Sequence, residues 1–379
     1  MDKPPLAIYV HWPYCARICP YCDFNVYKQR ADSGLVEAIC ADLIAWRDWS
    51  GAREIISVHF GGGTPSLMQG EDIGAVLKQI DDLWGLPDGA EIGLEANPNN
   101  AAIEKLDAFK AGGITRLSLG VQSFHDPALK QLGRDHDGRA AEQAITAALS
   151  RFRSISADLI FGWHGQTDDL LAADLDRLLS FDLPHISAYQ LTIEDGTAFA
   201  KAEARGKTQV VDNDRSADFY EYVSERLSHS GYEQYEVSNY ARAGHRSRHN
   251  MAYWQGHDYV GVGPGAHGRM TVNGIRYASI AALRPKDYAD HVSEQGQGFA
   301  AQEALSAQDW RDEYLLMGLR IKEGLSETKL NMIYSDEELI RRVDIFTDDG
   351  YLQRSGDRIF VTKKGRSLLN HITEKLLIG

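Results

Sequence analysis

The 379-residue sequence has few cysteines, no long apolar run and a deficit of positive charge. Its four cysteines are too few for a disulfide framework in a chain of this length. No apolar stretch approaches the roughly 20 residues that a membrane-spanning helix needs. The N-terminal stretch Met1–Pro5 has no basic region leading into an apolar core, so no secretory signal is predicted. These absences predict a cytoplasmic chain, with peripheral membrane association left open.

The charge balance limits the possible partners. The chain has 40 Lys and Arg against 54 Asp and Glu, a formal net charge of −14. Such a surplus of acid disfavours a nucleic-acid-binding surface. The hydrophobic fraction of 43% and the charged fraction of 25% are ordinary for a globular protein. The length predicts one large domain and a small one.

Three of the four cysteines lie close together behind a short apolar run. Cys15, Cys19 and Cys22 are spaced C-x3-C-x2-C. Thiolates are soft ligands, so such a group in a reducing compartment favours Fe–S or zinc over a disulfide. A structural zinc site and a fully ligated cubane both need four protein ligands. The alternatives are therefore a cluster with one open iron, a zinc site completed by His11, or three ordinary thiols.

A four-iron cluster on three thiolates keeps one iron without a protein ligand. That iron can chelate the amino and carboxylate groups of S-adenosylmethionine, and an electron from the cluster can then release a 5′-deoxyadenosyl radical. The aromatic Tyr21, just before the last of the three cysteines, adds to the resemblance to the radical SAM signature. Cys40 instead lies on an amphipathic helical pattern that is typical of a core residue.

Strand patterns alternate with helix patterns over the first half of the chain. The predicted strands are Ala7–His11, Ile55–Phe60, Glu91–Pro98, Arg116–Ser123, Ile155–Gly162 and His185–Thr192. This alternation predicts right-handed β–α units and a parallel sheet. Six units are too few for an eight-stranded barrel, so we predict an α/β fold with a partial (β/α)6 radical SAM barrel.

Unusual residues gather at the carboxyl ends of these strands, where such barrels carry their chemistry. They are the cysteines, the glycine triplet Gly61–Gly63, Glu95–Pro98, Gln122 and Asp158. A glycine triplet can be only a tight turn, but it also lets a backbone edge approach a ligand closely. The polar side chains can be solvated residues of the rim or acceptors for the hydroxyl and amino groups of a ligand.

The second half of the chain is less regular. Ser216–Ser228 has the spacing of a helix, and Tyr232–Ala241 alternates like a strand. The glycine-rich Val260–Gly268 lacks the Lys-Ser/Thr and the βαβ context of a phosphate loop. The segment 281–307 shows no clear periodicity and is predicted to link two domains.

The C-terminal part predicts a small winged-helix-like α+β domain. The pattern is helical from Trp310, then Tyr351–Thr362 predicts a hairpin and Gly365–Leu377 a last helix. Residues 308–379 hold 12 Lys and Arg against 13 Asp and Glu, a net of −1, which favours a cover or docking module over a DNA-binding one. We therefore predict a partial barrel over 1–240, a barrel extension and linker over 241–300, and a C-terminal domain over 301–379.

These motifs together resemble, over nearly the whole chain, the radical SAM proteins related to oxygen-independent coproporphyrinogen III oxidase. The matching pieces are Tyr9–Cys15 with Cys19 and Cys22, Gly61–Pro65, Glu95–Pro98, Gly120–Ser123 and Asp158–Ile160. The resemblance implies a [4Fe–4S] cluster on the three cysteines and a pocket for S-adenosylmethionine. The implied cofactor-binding residues are Tyr9, Tyr21, Gly62, Gly63, Thr64, Glu95, Gln122, Arg134 and Asp158.

That family divides into oxidases and haem chaperones. The motif typical of the oxidases is C-x3-C-x2-C-x-C, and a long extension precedes it. In this sequence Phe24 stands at the position of the fourth cysteine, and eight residues precede Tyr9. The chaperone branch resembles this chain at both points. It also carries H-N-x-x-Y-W, and this resemblance implies haem binding by four residues: His249, Asn250, Tyr253 and Trp254.

The haem motif has a plainer explanation as well. Imidazole is a good ligand of haem iron, and Tyr and Trp offer flat faces to a macrocycle. On chemistry alone, a structural histidine among core aromatics is favoured over a haem site. The resemblance reverses that order. One departure from the family is Trp163-His164, where Leu-Pro is expected, so the pocket should differ there.

We predict a haem chaperone that binds a [4Fe–4S] cluster, S-adenosylmethionine and haem. Its partners would be a haem-acceptor protein, such as a membrane-associated respiratory protein, and a reductant such as flavodoxin or ferredoxin, with no nucleic acid. The rival is an enzyme, the anaerobic oxidase that decarboxylates two propionates of coproporphyrinogen III. A third alternative is a radical SAM enzyme with an unrelated substrate. Whether the chain is an enzyme therefore stays open.

Overall fold

The computed structural model describes residues 4–28 and 34–377. The strands are β1 Leu6–Trp12, β2 Tyr14–Cys15, β3 Tyr27–Lys28, β4 Ile55–Gly62, β5 Glu91–Ala96, β6 Arg116–Gln122, β7 Ser154–Phe161, β8 His185–Gln190, β9 Glu233–Gln234, β10 Asn239–Ala241, β11 Asp258–Val262, β12 His267–Val272, β13 Ile275–Ala281, β14 Phe299–Ala304, β15 Leu325–Ser326, β16 Leu352–Ser355 and β17 Arg358–Val361. The helices are α1 Gly34–Ser50, α2 Gly70–Trp84, α3 Ile103–Ala111, α4 Asp126–Gln131, α5 Gly138–Leu149, α6 Asp168–Leu179, α7 Ala198–Glu203, α8 Asn213–His229, α9 Arg248–Trp254, α10 Pro285–Gln295, α11 Ala307–Gly318, α12 Glu327–Ile333, α13 Glu337–Asp348, α14 Lys363–Arg366 and α15 Leu369–Leu377.

The main sheet contains twelve strands in the order β14-β13-β12-β11-β1-β4-β5-β6-β7-β8-β10-β9. Six strands pair in parallel with one another, in the order β1-β4-β5-β6-β7-β8, and helices connect them. This arrangement confirms the predicted partial (β/α)6 barrel. On the other side of β1, β11 adds one more parallel strand, and β12–β14 continue the sheet antiparallel.

Successive side chains of the barrel strands alternate between two faces of the sheet. One face packs outward against the helices, and the other lines the interior of the barrel. Val58 and Phe60 of β4 are fully buried in the hydrophobic core that the sheet shares with the helices. His59 lies between them and faces the opposite side, because successive side chains of a strand point to opposite faces. A buried Val or Phe stabilises the fold by about 1.5–3 kcal/mol. The strands are therefore held by their outer faces, and the barrel interior is free to carry polar side chains.

Two predictions about the second half were wrong. The expected linker over 281–307 contains α10 and the edge strand β14. Phe299 of β14 packs edge-on against Trp46 of α1, with ring centroids 4.9 Å apart, so the segment belongs to the barrel core. The expected strand Tyr232–Ala241 is broken into β9 and β10. A turn separates them, and its buried Glu236 accepts a hydrogen bond from the Ser238 amide.

The C-terminal residues form a hydrophobic core of their own. Thirteen buried residues between Tyr314 and Leu376 make up this core. The predicted hairpin is present as β16 and β17, and β15 joins it in a three-stranded sheet. The predicted last helix is divided into α14 and α15. The domain limits at 240 and 300 stay a proposal.

Two further expectations concern membrane-spanning helices and the bounds of the first helix. Among residues 4–28 and 34–377, no helix is both long enough and apolar enough to span a membrane. The spacing of Leu35, Ile39 and Leu43 predicts a first helix over about Ser33–Trp49. The observed α1 runs over Gly34–Ser50, and Ser33 lies outside the described residues.

Candidate functional site

A cavity of about 380 Å³ opens at the carboxyl ends of the barrel strands. Its wall brings together eleven of the predicted site residues. They are Cys15, Cys19, Tyr21, Cys22, Gly62, Gly63, Thr64, Glu95, Gln122, Arg134 and Asp158. The other five, Tyr9, His249, Asn250, Tyr253 and Trp254, do not line this cavity.

The cysteine loop is tied to the neighbouring strand connections through its sulfur atoms. Thr64 Oγ1 donates to Cys15 Sγ over 3.5 Å, and Arg134 Nη1 donates to Cys19 Sγ over 3.3 Å. Within the loop, the amide of Cys22 donates to the carbonyl of Cys19 over 3.2 Å. Donors to sulfur stabilise thiolates, and such hydrogen bonds tune Fe–S clusters. The loop is therefore arranged for negatively charged sulfurs.

The thiols do not form a mononuclear metal site. In the part of the chain that the structure describes, no three His, Cys, Asp or Glu side chains converge on one ion. Three thiolates on a four-iron cluster bind three different irons, so they need not converge. Burial raises the pKa of the Cys22 thiol to about 11 and also raises that of Cys15. Deprotonation of these thiols is thus expected to need the positive charge of bound iron.

His11 does not complete a zinc site with the cysteines. Its Nε2 lies 2.9 Å from the carbonyl oxygen of Asn25, and its Nδ1 lies 3.0 Å from the Tyr9 hydroxyl. Because a carbonyl only accepts, Nε2 carries the hydrogen and Nδ1 accepts from Tyr9. Both ring nitrogens are occupied, so the zinc alternative loses its fourth ligand.

The glycine triplet passes beneath the cysteine loop at very short range. A Cβ on Gly63 would lie 2.8 Å from the carbonyl oxygen of Tyr14 and 2.9 Å from that of Trp12. Gly62 has φ +107°, a region that side chains disfavour. The triplet is therefore required by close backbone approach and not only by a turn. This cradle also leaves the Gly62–Thr64 backbone exposed to the cavity.

Two carboxylates lie at the base of the cavity. Glu95 accepts from the Gly62 amide at 3.3 Å, and its other oxygen lies 3.1 Å from His59 Nε2. Ser118 Oγ contacts both oxygens of Asp158, at 3.1 and 3.2 Å. Burial raises the pKa of Asp158 to about 6, and the nearby Glu95 adds to the shift. The site thus offers acceptors for the hydroxyl or amino groups of a ligand.

Gln122 has a strained backbone and an unsatisfied side chain. Its φ is +67°, one of only three positive values outside glycine among the described residues. Its Oε1 is buried and has no hydrogen-bond partner in the structure. A buried acceptor without a donor costs about 1–3 kcal/mol. Strain and an orphaned acceptor in a cavity wall indicate a position shaped for a ligand.

Arg134 joins two sides of the cavity. Its Nη1 lies 3.4 Å from the Tyr21 hydroxyl, beside the contact with Cys19. Its Nη2 donates to Asn97 Oδ1 over 2.6 Å and to the Gly120 carbonyl over 3.1 Å. The guanidinium therefore holds the cysteine loop against the ends of β5 and β6.

Tyr9 lies inside the barrel, below the cavity. Its ring stacks on His59 with centroids 6.4 Å apart, and burial raises its pKa well above the usual value. A Cβ on Gly61 would lie 2.8 Å from the Tyr9 ring. The cofactor contact that the resemblance implied for Tyr9 stays a prediction.

The H-N-x-x-Y-W motif forms α9, at the opposite end of the barrel from the cysteine loop. The amide of His249 and the hydroxyl of Ser247 both donate to Glu91 Oε1, at the first residue of β5. His249 Nδ1 lies 3.0 Å from Ser57 Oγ, and its Nε2 is buried without a partner in the structure. The side chain points into the barrel, since its ring stacks on His59 at 4.9 Å.

The other residues of the motif spread over three environments. Tyr253 packs on Tyr259 of β11, with ring centroids 4.3 Å apart. Arg320 of the C-terminal part lies 4.7 Å over the Trp254 ring. Asn250 lines a second, smaller cavity of about 80 Å³ inside the barrel. The motif thus closes the amino-terminal end of the barrel.

Several residues of the site were not predicted. Ser118 and Tyr189 line the main cavity, and His59 supports it from below. Asn97 also lines it, and only its place in the motif Glu95–Pro98 was predicted. A signal for Ser118 and His59 was present, because each is a polar residue on the inward face of an otherwise apolar strand. Trp163, at the departure from Leu-Pro, belongs to the same buried cluster as Ile160 and Leu191, which line the cavity.

Comparison with known proteins decides the family. A model described as the Radical SAM superfamily matches residues 9–178. The chain is 36% identical over 383 aligned residues to the "Heme chaperone HemW" of Mycobacterium tuberculosis, across 100% of this chain and 96% of that protein. The chain belongs to the HemW family of radical SAM proteins.

Other relatives extend the HemW comparison. The "Radical S-adenosyl methionine domain-containing protein 1, mitochondrial" of Danio rerio is 38% identical over 344 residues, across 89% of this chain and 77% of that protein. The coproporphyrinogen III oxidase (HemN) of Escherichia coli superposes with a TM-score of 0.82 at 22% identity, across 99% of this chain and 91% of that chain. This superposition shows that the fold is shared.

Membership of the radical SAM superfamily implies a [4Fe–4S] cluster and S-adenosylmethionine. The residues present fit these groups. Three thiols lie within eight residues on one loop, an orphaned acceptor at Gln122 lines the same cavity, and the glycine cradle exposes a backbone edge beside them.

Proposed function

We propose that this chain is a haem chaperone: it binds a [4Fe–4S] cluster, S-adenosylmethionine and haem, and delivers haem to a haem-dependent protein. The observation that carries the proposal is full-length similarity to proteins named haem chaperones. The apolar Phe24, 57% exposed at the mouth of the cavity, supports it. The motif that the oxidases share has a fourth cysteine at this position, whereas the Phe24 side chain has no atom that could ligate a metal.

The cluster would be held by Cys15, Cys19 and Cys22. S-adenosylmethionine would occupy the 380 Å³ cavity, and nine residues are its proposed contacts: Tyr9 below the cavity, and Tyr21, Gly62, Gly63, Thr64, Glu95, Gln122, Arg134 and Asp158 in its wall. When bound, these two groups supply electron transfer and radical chemistry. The side chains supply acceptors for the hydroxyl and amino groups of the cofactor, and donors that stabilise the thiolates.

Haem would bind through the motif on α9, with His249 as the iron ligand. The buried Nε2 of His249 without a partner supports this assignment, because it is a ligating atom that no hydrogen bond occupies. Burial and the neighbouring His59 hold the pKa of His249 well below its usual value, so the ring is neutral and able to ligate iron. His249 is only 3% exposed, so haem can reach it only after α9 moves away from Glu91.

A haem-dependent acceptor would take the haem, and a small redox protein of the flavodoxin or ferredoxin class would reduce the cluster. A cytoplasmic location belongs to the same proposal.

Haem binding and oxidase activity should be measured side by side on the anaerobically reconstituted chain. We expect haem binding with no conversion of coproporphyrinogen III. His249→Ala should lower haem affinity or shift the Soret band while cluster content stays unchanged. His185→Ala is the matched control, because His185 is also buried in the barrel but both of its ring nitrogens have partners, Ser156 and Tyr235.

Two results would contradict the proposal. Sustained formation of protoporphyrinogen by the wild-type chain would favour the oxidase. Equal losses of haem affinity in His249→Ala and His185→Ala would show that the barrel interior, and not the ligand, had been disturbed.

A further inference from the structure

The barrel interior contains a histidine with no assigned role directly beneath the cofactor cavity. His59 lies in the middle of β4, and its Nε2 is 3.1 Å from Glu95 Oε1. An ionised carboxylate only accepts hydrogen bonds, so Nε2 carries the hydrogen and donates. The His59 side chain is 16% exposed and that of Glu95 39%, so the bond joins the interior to the cavity.

Two neighbouring rings hold the orientation of the His59 ring. The Tyr9 ring lies nearly parallel to it, with an interplanar angle of 13° at 6.4 Å, and the His249 ring lies at an angle of 20° at 4.9 Å. The ring also depends on a missing side chain, because a Cβ on Gly93 would lie 2.5 Å from His59 Nδ1. These rings and this glycine support the orientation in which Nε2 is directed at Glu95.

Glu95 is consequently held from two directions. Its Oε2 accepts from the Gly62 amide, and its Oε1 accepts from His59. Gly61, which lies between His59 and Gly62 in the chain, also contributes. A Cβ on Gly61 would lie 2.9 Å from Glu95 Oε1, so a side chain there would displace the carboxylate. The carboxylate is thus fixed in the orientation that it presents to the cavity before any ligand arrives. Preorganisation of this kind raises affinity by reducing the cost of ordering on binding.

We infer that His59 is a positioning residue for S-adenosylmethionine: it orients the Glu95 carboxylate toward the cofactor. This inference rests on the proposed cofactor site and adds a residue to it. His59 itself does not line the main cavity, so its effect passes through Glu95. A histidine that only filled space would not need a donor aimed at the carboxylate.

The test is a double-mutant cycle on the reconstituted chain, with the Kd for S-adenosylmethionine as the measurement. His59→Leu should raise the Kd about tenfold, the effect of one hydrogen bond to a charged group. His59→Gln should restore most of the affinity, because its amide nitrogen can replace Nε2 as the donor. Adding His59→Leu to Glu95→Ala should cause no further loss, because interacting residues are not additive.

A matched control separates positioning from damage to the fold. His125 is also part of a histidine–carboxylate pair, 3.6 Å from Asp174, but it lies outside the cavity. His125→Leu should leave the Kd unchanged. Iron and sulfide content should be equal in all variants.

The outcomes separate this inference from the proposed function. Wild-type affinity in His59→Leu, or losses that add in the double variant, would overturn the positioning role. If the wild-type chain with a complete cluster failed to bind S-adenosylmethionine, the proposed cofactor site itself would be wrong.

Discussion

Gly63→Ala should damage the cofactor site through a single methyl group. The added Cβ would lie 2.8 Å from the Tyr14 carbonyl oxygen and 2.9 Å from both the Pro13 carbonyl carbon and the Trp12 carbonyl oxygen. All three atoms are backbone, so no side chain can rotate away. Overpacking of this kind costs about 1–3 kcal/mol. The strain falls on the segment that carries Cys15, so iron bound after anaerobic reconstitution should decrease together with the free energy of unfolding.

Gly74→Ala is the control for this substitution. Gly74 lies inside α2, and the nearest atoms to its Cβ would be 3.9 Å away. Alanine favours a helix over glycine by about 1 kcal/mol, so this variant should be more stable and keep its cluster. The pair is measured by urea unfolding of the apo-protein and by iron and sulfide content. Normal iron content and stability in Gly63→Ala would refute the idea that close backbone approach requires this glycine.

Two more predictions concern other parts of the chain. Cys15→Ala, Cys19→Ala and Cys22→Ala should each abolish the cluster spectrum, whereas Cys40→Ala should retain it; loss in Cys40→Ala alone would show that the wrong ligands were chosen. Burial raises the pKa of Asp42 from 3.8 to about 6, so the folded state binds the proton more tightly than the unfolded state, and this residue destabilises the fold increasingly as pH rises from about 4 to about 6. Asp42→Asn should therefore gain stability relative to wild type between pH 4 and pH 7, by up to about 3 kcal/mol at 1.36 kcal/mol per unit. Urea unfolding of both apo-proteins measures this difference, and a constant difference across that range would contradict it.

The barrel could be predicted because its strands are unambiguous in the sequence. Ile55–Phe60 and Ile155–Gly162 are short, mainly apolar runs; glycine follows the first and ends the second, as is typical of buried parallel strands. The main site followed from the fold, since the carboxyl ends of parallel strands share one rim. Eleven of the predicted residues line one cavity for this reason.

The edge strand β14, the helix α10 and the position of α9 could not be predicted, because they depend on contacts between segments that are distant in the sequence. In β14 only Phe299 is buried and the next five residues are exposed, so no alternation marks it as a strand. In α10 only Tyr288 and Val292 are buried. The place of α9 could not be predicted either, because it depends on Glu91, more than 150 residues earlier in the chain. The sequence motif therefore indicated a ligand, while its burial became visible only in the folded barrel.

The division between an apolar outer face and a polar interior has a consequence for how this scaffold can evolve. Ser118, Ser156 and Ser187 face the lumen, the small cavity inside the barrel. Their substitution removes little hydrophobic burial, because the residues beside them on each strand face outward and pack the sheet against its helices. Lineages can therefore change the lumen, and with it the chemistry, while the apolar contacts between the sheet and its helices stay intact. By the same reasoning, a protein engineer could introduce new side chains into the lumen of this barrel without altering those apolar contacts, provided that each buried polar group keeps a hydrogen-bond partner.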